Sequence, residues 1–196
     1  MDISEYKIVK GDFVELHEIT PDDAQIIYNW RTSSSGQFMN QPDGYSLESQ
    51  QNWMQNRPAN EINYTIISKE SGQKVGMIAI VGISIQDKNA EVGRLLLAPE
   101  FLKASNPYGL EALKICYNLI LNVWGFNKIY GNVLSENKPM LKMQKYLGMV
   151  EEGLLKQQKN IHGKMYDLHL VAIFQEQFNK SYLPKIQFLL KAFRKQ

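Results

Sequence analysis

Residues 64–68, 75–85 and 90–97 are three half-apolar runs rich in Ile, Val and Leu, separated only by the turn-forming stretches Lys69-Glu70-Ser71-Gly72-Gln73 and Gln86-Asp87-Lys88-Asn89. Short polar turns between apolar runs dictate an antiparallel meander. Such a meander has two faces to cover, so other elements of the chain must pack on it. Past Pro99 an apolar segment from about Gly109 to Trp124 reads as one long helix, stopped by Gly125 in the position a C-terminal glycine prefers. Strand character returns at residues 128–134. A helix at 138–147 ends at Gly148, and residues 149–155 and 165–174 are two further strands.

Upstream, the alternation Phe13-Val14-Glu15-Leu16-His17 reads as a strand. Thr20-Pro21-Asp22-Asp23 then supplies a cap, a first-turn proline and two acids beside the dipole of a helix reaching about Trp30. Ser46 caps a second helix to about Asn56, which Pro58 ends. The order β-α-α-β-β-β-α-β-α-β-β predicts an α/β (α+β) fold over residues 1–175, a mixed, mostly antiparallel central sheet with helices on both faces. In residues 176–196, Phe178, Tyr182, Leu183, Ile186, Leu189, Leu190 and Phe193 alternate with lysines and an arginine, the pattern of a C-terminal amphipathic helix. It docks either on the domain or on a second subunit, so a homodimer stays open, as does weak attachment to an anionic membrane surface.

With 196 residues, 44% of them hydrophobic and 21% charged, the chain can bury one substantial core. A net charge of +2 with dispersed basic residues argues against a nucleic-acid partner. No window approaches the roughly 18 apolar residues of a membrane span, and the polar N-terminus lacks a signal-peptide core, so the expected location is cytoplasmic. Cys116, in an apolar stretch, reads as a buried small hydrophobe. His162 and His169 lack metal-ligand spacing, so no metal is expected.

The chemistry is concentrated where the strand at 91–97 passes through a short loop into the long helix. The first turn of that helix, at Tyr108, Gly109, Leu110 and Glu111, exposes N–H groups suited to an anion, and Gly109 allows a phosphate to approach the backbone closely. This segment, with Asn137-Lys138-Pro139-Met140-Leu141-Lys142-Met143-Gln144-Lys145-Tyr146-Leu147-Gly148-Met149, resembles the GNAT superfamily of N-acetyltransferases over about residues 13–174. In the family loop pattern Gln/Arg-x-x-Gly-x-Gly/Ala, the aligned positions here are Ala104, Pro107 and Gly109, of which only Gly109 matches; Lys103 is the one nearby stand-in for the basic position.

The resemblance implies acetyl-CoA as co-substrate, held by Leu95, Leu97, Ser105, Asn106, Pro107, Tyr108, Gly109, Leu110 and Asn137, with Asn137 beside the pantetheine arm. It implies Glu91 as the base that deprotonates an attacking ammonium, and a backbone N–H near Leu97 as oxyanion donor. A structural role for Glu91, hydrogen-bonded to backbone, stays open. Gln144 occupies the position of the family's acid tyrosine and has no proton to give, while Tyr146 lies about 200° around the helix from it. Lys138, Lys142 and Lys145 share one helical face, either solvated or meeting coenzyme phosphates.

The segments Tyr28-Asn29-Trp30-Arg31, Gln37-Phe38-Met39, Tyr45-Ser46-Leu47-Glu48 and Trp53-Met54 are similar to two branches of that superfamily. One acetylates protein N-termini, including those of ribosomal proteins; the other, of the pseudaminic-acid type and the nearer of the two, acetylates an amino sugar linked to a nucleotide. The acceptor is thus expected to be a small-molecule primary amine, with Trp30 and Arg31 offering a stacking face and a bidentate phosphate partner. Tyr166, in the hairpin that borders the family's acceptor pocket, joins them; Trp30 packed in the core is the alternative. A GNAT-fold binding protein without catalysis also stays open, given the loop and Gln144.

Overall fold

The computed structural model of the protein describes residues 3–39, 41–102 and 106–195. Eight strands form one sheet: β1 (Ile8–Lys10), β2 (Val14–Glu18), β3 (Ile62–Ser68), β4 (Lys74–Ser84), β5 (Asn89–Leu97), β6 (Lys128–Leu134), β7 (Val150–Ile161) and β8 (Lys164–Phe174). Their spatial order is β1-β2-β3-β4-β5-β6-β8-β7. Every neighbouring pair is antiparallel except β5 and β6. Parallel neighbours need a crossover, and α3 (Tyr108–Asn118) supplies it.

The other helices are α1 (Ala24–Thr32), α2 (Leu47–Gln55), α4 (Lys138–Leu147), the single turn α5 (Gln175–Gln177) and α6 (Leu183–Lys191). Local chemistry sets several boundaries. Ser46 accepts the N–H of Ser49 to open α2, Asn137 accepts that of Met140 to open α4, and Gly148, at φ +119°, ends α4 with its N–H on the Gln144 carbonyl.

Two apolar cores result. The larger lies between the sheet and α3, where Leu113, Ile115, Cys116, Tyr117 and Ile120 pack on Leu16, Tyr64, Ile66, Ile80 and Ile129. The smaller, under α1 and α2, gathers Ile19, Ile27, Trp30, Met54, Met77 and Leu96. The C-terminal segment belongs to the larger one: Phe178, Tyr182 and Ile186 are fully buried, and Tyr182 stacks on Tyr117 with ring centroids 4.7 Å apart. No helix among the described residues is long and apolar enough to cross a membrane.

Three features depart from the pattern reading. The edge strand β1 is only three residues long, too short to show alternation. The long helix changes at Leu119 into a π-helical turn to Val123, where the Trp124 N–H reaches back to the Leu119 carbonyl. A π turn keeps apolar spacing close to that of an α-helix, so the sequence does not distinguish them. Strand β7 runs to Ile161 rather than 155, because Lys159, Asn160 and Ile161 pair with β8 in an exposed arm beyond a register shift after Leu155. His162 and Gly163, both at positive φ, close that hairpin as a two-residue turn demands.

Candidate active site between the splayed strands

Strands β5 and β6 stay together for only three residue pairs, Asn89 with Lys128, Ala90 with Ile129 and Glu91 with Tyr130. Beyond these, β6 continues against β8 and β5 continues against β4, so a wedge opens between them. The backbone groups along that inner edge of β5 have no strand to bond and suit a ligand carrying amides of its own. A cavity of about 560 Å³ fills the wedge, walled by Glu91, Leu95, Leu113, Asn137, Met140 and Gln144 among others.

Glu91 stands at the point of divergence. Its carboxylate accepts the backbone N–H of Asn132 at 3.3 Å and the Asn132 side-chain amide at 2.9 Å, taking the place a β5 carbonyl would have held had the strands stayed paired. The carboxylate is half-buried and lines the cavity, so both readings of Glu91 meet in one geometry: it holds the fork and faces the space within it. Tyr130 beside it is held protonated above the ordinary tyrosine range, first by burial and then by the charge of Glu91.

The N-terminus of α3 lies beside Leu95 and Leu97, on the stretch of β5 beyond the fork. Pro107 is the capping residue, the Asn106 side chain accepts the Tyr108 N–H at 3.1 Å, and its amide donates to the Phe101 carbonyl at 2.9 Å. The Tyr108 ring packs edge-on against Phe101, and its hydroxyl takes a bond from Ser68 at 3.3 Å. The side chains of Asn106 and Tyr108 therefore build the turn, and what the turn offers a ligand is backbone. Gly109 and Leu110 carry N–H groups that no carbonyl of their own helix can reach. A Cβ on Gly109 would meet only Leu97 Cδ1 at 3.7 Å and the Leu95 methyls at 3.9 Å and 4.0 Å, ordinary contacts. Nothing among the described residues requires glycine there, which fits a backbone kept bare for a close ligand. Ser105, with Lys103 and Ala104, lies outside the described residues.

Asn137 caps α4 through its side chain and also lines the cavity. Gln144 is buried at 5% exposure; its carbonyl oxygen accepts the Tyr117 hydroxyl at 3.3 Å. Burial pushes the Tyr117 hydroxyl well above its usual range. Tyr146 points away, 59% exposed beneath Lys185. Lys138, Lys142 and Lys145 are all exposed, and Lys145 is paired with Glu151.

The three acceptor-side residues separate. Trp30, at 5% exposure, packs with Ile27, Met54 and Leu96 in the smaller core and lines neither this cavity nor the pocket beside it, so its ring is a core element and not a stacking face. Helix periodicity explains this: Trp30 follows Ile27 by three residues on one apolar face. Arg31, one residue on, turns the other way into a second pocket of about 350 Å³ with Met39, Tyr45, Gln50, Trp53 and Arg94. Tyr166 pairs with Lys159, which lines the main cavity, but the ring itself is covered by Lys164 and lies outside the lining. The hairpin tip does reach the loop between α1 and α2, through His162 Nδ1 and Asp43 at 3.1 Å.

Arg94, Asn132, Gln50 and Tyr117 were not legible as site residues. Arg94 sits in a strand, where an arginine is usually solvated, yet its φ of +54° and the irregular β4–β5 register around it turn it into the site. Gln50 and Tyr117 are polar residues on helical faces that the pattern otherwise marks as ordinary. Among the described residues no group of three or more His, Cys, Asp or Glu side chains could hold a metal ion.

With this geometry in place, comparison with known proteins is informative. The model of the acetyltransferase (GNAT) domain matches residues 14–150. A curated relative from Bacillus licheniformis, described as uncharacterized N-acetyltransferase p20, is 24% identical over 115 residues, 59% of this chain; the match spans 63% of that relative, under two thirds of its length. Among solved structures, a GCN5-related N-acetyltransferase from Brucella melitensis superposes with a TM-score of 0.78 at 17% identity, over 92% of this chain and 84% of that one. Spermidine N-acetyltransferase from Vibrio cholerae, solved in complex with CoA and spermine, gives 0.76 at 17% identity, over 87% of this chain and 100% of that one. Likeness at such identities is a likeness of fold.

Proposed function

The chain belongs to the acetyltransferase (GNAT) family, and from that premise we propose that it transfers the acetyl group of acetyl-CoA to the primary amine of a small molecule. The observation that carries this is the wedge with Glu91 at its fork, together with the bare first turn of α3 beside Leu95 on the β5 wall. Acetyl-CoA supplies an acetyl thioester. Gly109 and Leu110 hold its pyrophosphate by their N–H groups and the helix dipole, while Leu95, Leu113 and Met140 wall the arm. The amine enters from the side of the α1–α2 loop, and Glu91 takes its proton directly or through a water. Alignment of amine against thioester accounts for most of the remaining barrier. As the C–N bond forms the C–S bond breaks, and the departing CoA thiolate takes its proton from water or from the ammonium of the tetrahedral intermediate, since Gln144, held by Tyr117 at the cavity wall, has none to give.

For the acceptor, we favour an amino sugar linked to a nucleotide over a peptide N-terminus. Glu91 is the one carboxylate among the described residues lining the two pockets, whereas Arg31, Arg94 and Lys159 are cations. Polyamines, the class named for the Vibrio cholerae neighbour, would meet these cations with like charge. Calorimetric titration with CoA, followed by a screen of amino-sugar nucleotides against peptides with acetyl-CoA, tests the reading. Micromolar CoA binding and turnover of the sugar class is the expected result; no CoA binding at millimolar concentration overturns it.

A further inference from the structure

The pocket beside the main cavity brings the donors of Arg31, Gln50 and Arg94 together on an aromatic and apolar wall. It shares Met39 and Arg94 with the wedge, so the two spaces adjoin. The Arg31 guanidinium lies 5.0 Å from the centre of the Tyr45 ring, and that of Arg94 lies 5.1 Å from the Trp53 ring, which fixes the plane of each fork. Arg94 is anchored from behind: its Nη1 donates to Glu61 at 3.0 Å and to Asn63 at 2.7 Å, using both protons of that nitrogen and leaving those on Nε and Nη2.

Gln50 provides a second, independent observation. The residue is 2% exposed and lines the pocket. Its carbonyl oxygen is taken by the Tyr45 hydroxyl at 2.5 Å, while its amide nitrogen has no partner among the described residues. A buried amide donor left unpaired is costly, and native proteins keep such groups where something else completes them. The acceptor oxygen of Gln50 is used and the donor is spare. Burial works against the charge of Arg31, and the nearby Arg94 adds repulsion.

We propose that this pocket binds an oxyanion, a phosphate or carboxylate group, carried by the acceptor molecule, gripped by Arg31 and Arg94 with Gln50 Nε2 as a third donor. The orphan Gln50 amide and the Nε and Nη2 donors of Arg94, with Arg31 beside them and no carboxylate among the described lining residues, suit an acceptor-rich, negatively charged group. Calling the ligand the acceptor rests on the acetyl-transfer reading; the anion site itself does not. Arg94, reaching the wedge as well, would set the distance between the anion and the amine, which makes it a specificity-determining residue.

The test is calorimetric titration of the full chain, first with CoA, and then, with CoA saturating so that the α3 turn is filled, with UDP, glucose 1-phosphate, glutarate and neutral uridine. Saturable binding of an anionic probe and none of uridine is expected, weakened at least tenfold by Arg31→Gln or Arg94→Gln and several-fold by Gln50→Leu, with CoA affinity unchanged. Preference for the phosphates or for glutarate identifies which oxyanion the site takes. Arg31→Lys and Arg94→Lys, which keep charge but lose the fork, guard against unfolding, checked by the melting temperature. If CoA binds but no anion does at millimolar concentration, or if the arginine variants bind anions as tightly as the parent, the proposal is overturned while acetyl transfer stands. If CoA itself fails to bind, the acetyl-transfer reading falls and the same titrations of the free protein still decide the anion site.

Discussion

Replacing Gly109 by aspartate should move stability and coenzyme affinity in opposite directions. The added Cβ meets Leu97 Cδ1 at 3.7 Å and the Leu95 methyls at 3.9 Å and 4.0 Å, ordinary contacts. Aspartate loses less backbone freedom than glycine on entering a helix, and its charge complements the positive end of the dipole, a gain of about 0.5–1 kcal/mol. For a chain of this size 1 kcal/mol corresponds to about 2–4 °C, so the melting temperature should rise by about 1–4 °C. The same carboxylate stands over the first turn of α3, where a pyrophosphate needs the N–H of residue 109 at contact distance. Losing one hydrogen bond to a charged group costs about 1.5–3 kcal/mol and the carboxylate repels the pyrophosphate besides, which weakens binding by at least about one to two orders of magnitude. Thermal melts and calorimetry with CoA measure both on one preparation. A CoA affinity within about twofold of the parent, alongside the higher melting temperature, would refute the placement of the pyrophosphate at this turn.

Three other outcomes follow from the same structure. Glu91→Gln keeps one oxygen for the Asn132 amide, so the fork should hold and CoA affinity should persist while acetylation at neutral pH falls by about 100-fold or more; an unchanged rate removes Glu91 as the base. Asn137→Ala deletes the cap on α4 and should destabilise the chain by about 1 kcal/mol in denaturant titration, whereas Asn137→Asp should recover most of that; equal losses would show that the cap contributes nothing. Cys116 is fully buried with its thiol pushed far above the usual range, so a disulfide reagent should fail to label the native protein even at pH 9 and should label it once unfolded. Labelling at native rates typical of exposed thiols would contradict that burial.

Much of the fold was legible because its signals are local. Strand β6 and helix α4 begin and end where the pattern placed them, since Asn137 and Gly148 act on the backbone beside them. The first turn of α3 was legible for the same reason: a helix N-terminus exposes its N–H groups wherever it occurs, and Gly109 marks a place where the backbone is bare. The apolar C-terminal face announced that it must be covered, though only packing shows that Tyr182 lies on Tyr117.

What the sequence by itself determined was the order of elements, the apolar faces that had to meet, and one helix start with a bare glycine in its first turn. What only the tertiary structure decided was which side chains share a space. The wedge exists because β5 and β6 part after Glu91, and parting depends on the partners each strand has elsewhere in the sheet. Trp53 and Arg94, 41 positions apart, face one another, as do Arg31 and Tyr45, while Trp30 is carried into the core. The physical reason is range: caps, turns and periodicity act within a few residues, whereas a pocket is made by residues whose closeness is fixed only when the sheet closes around its helices.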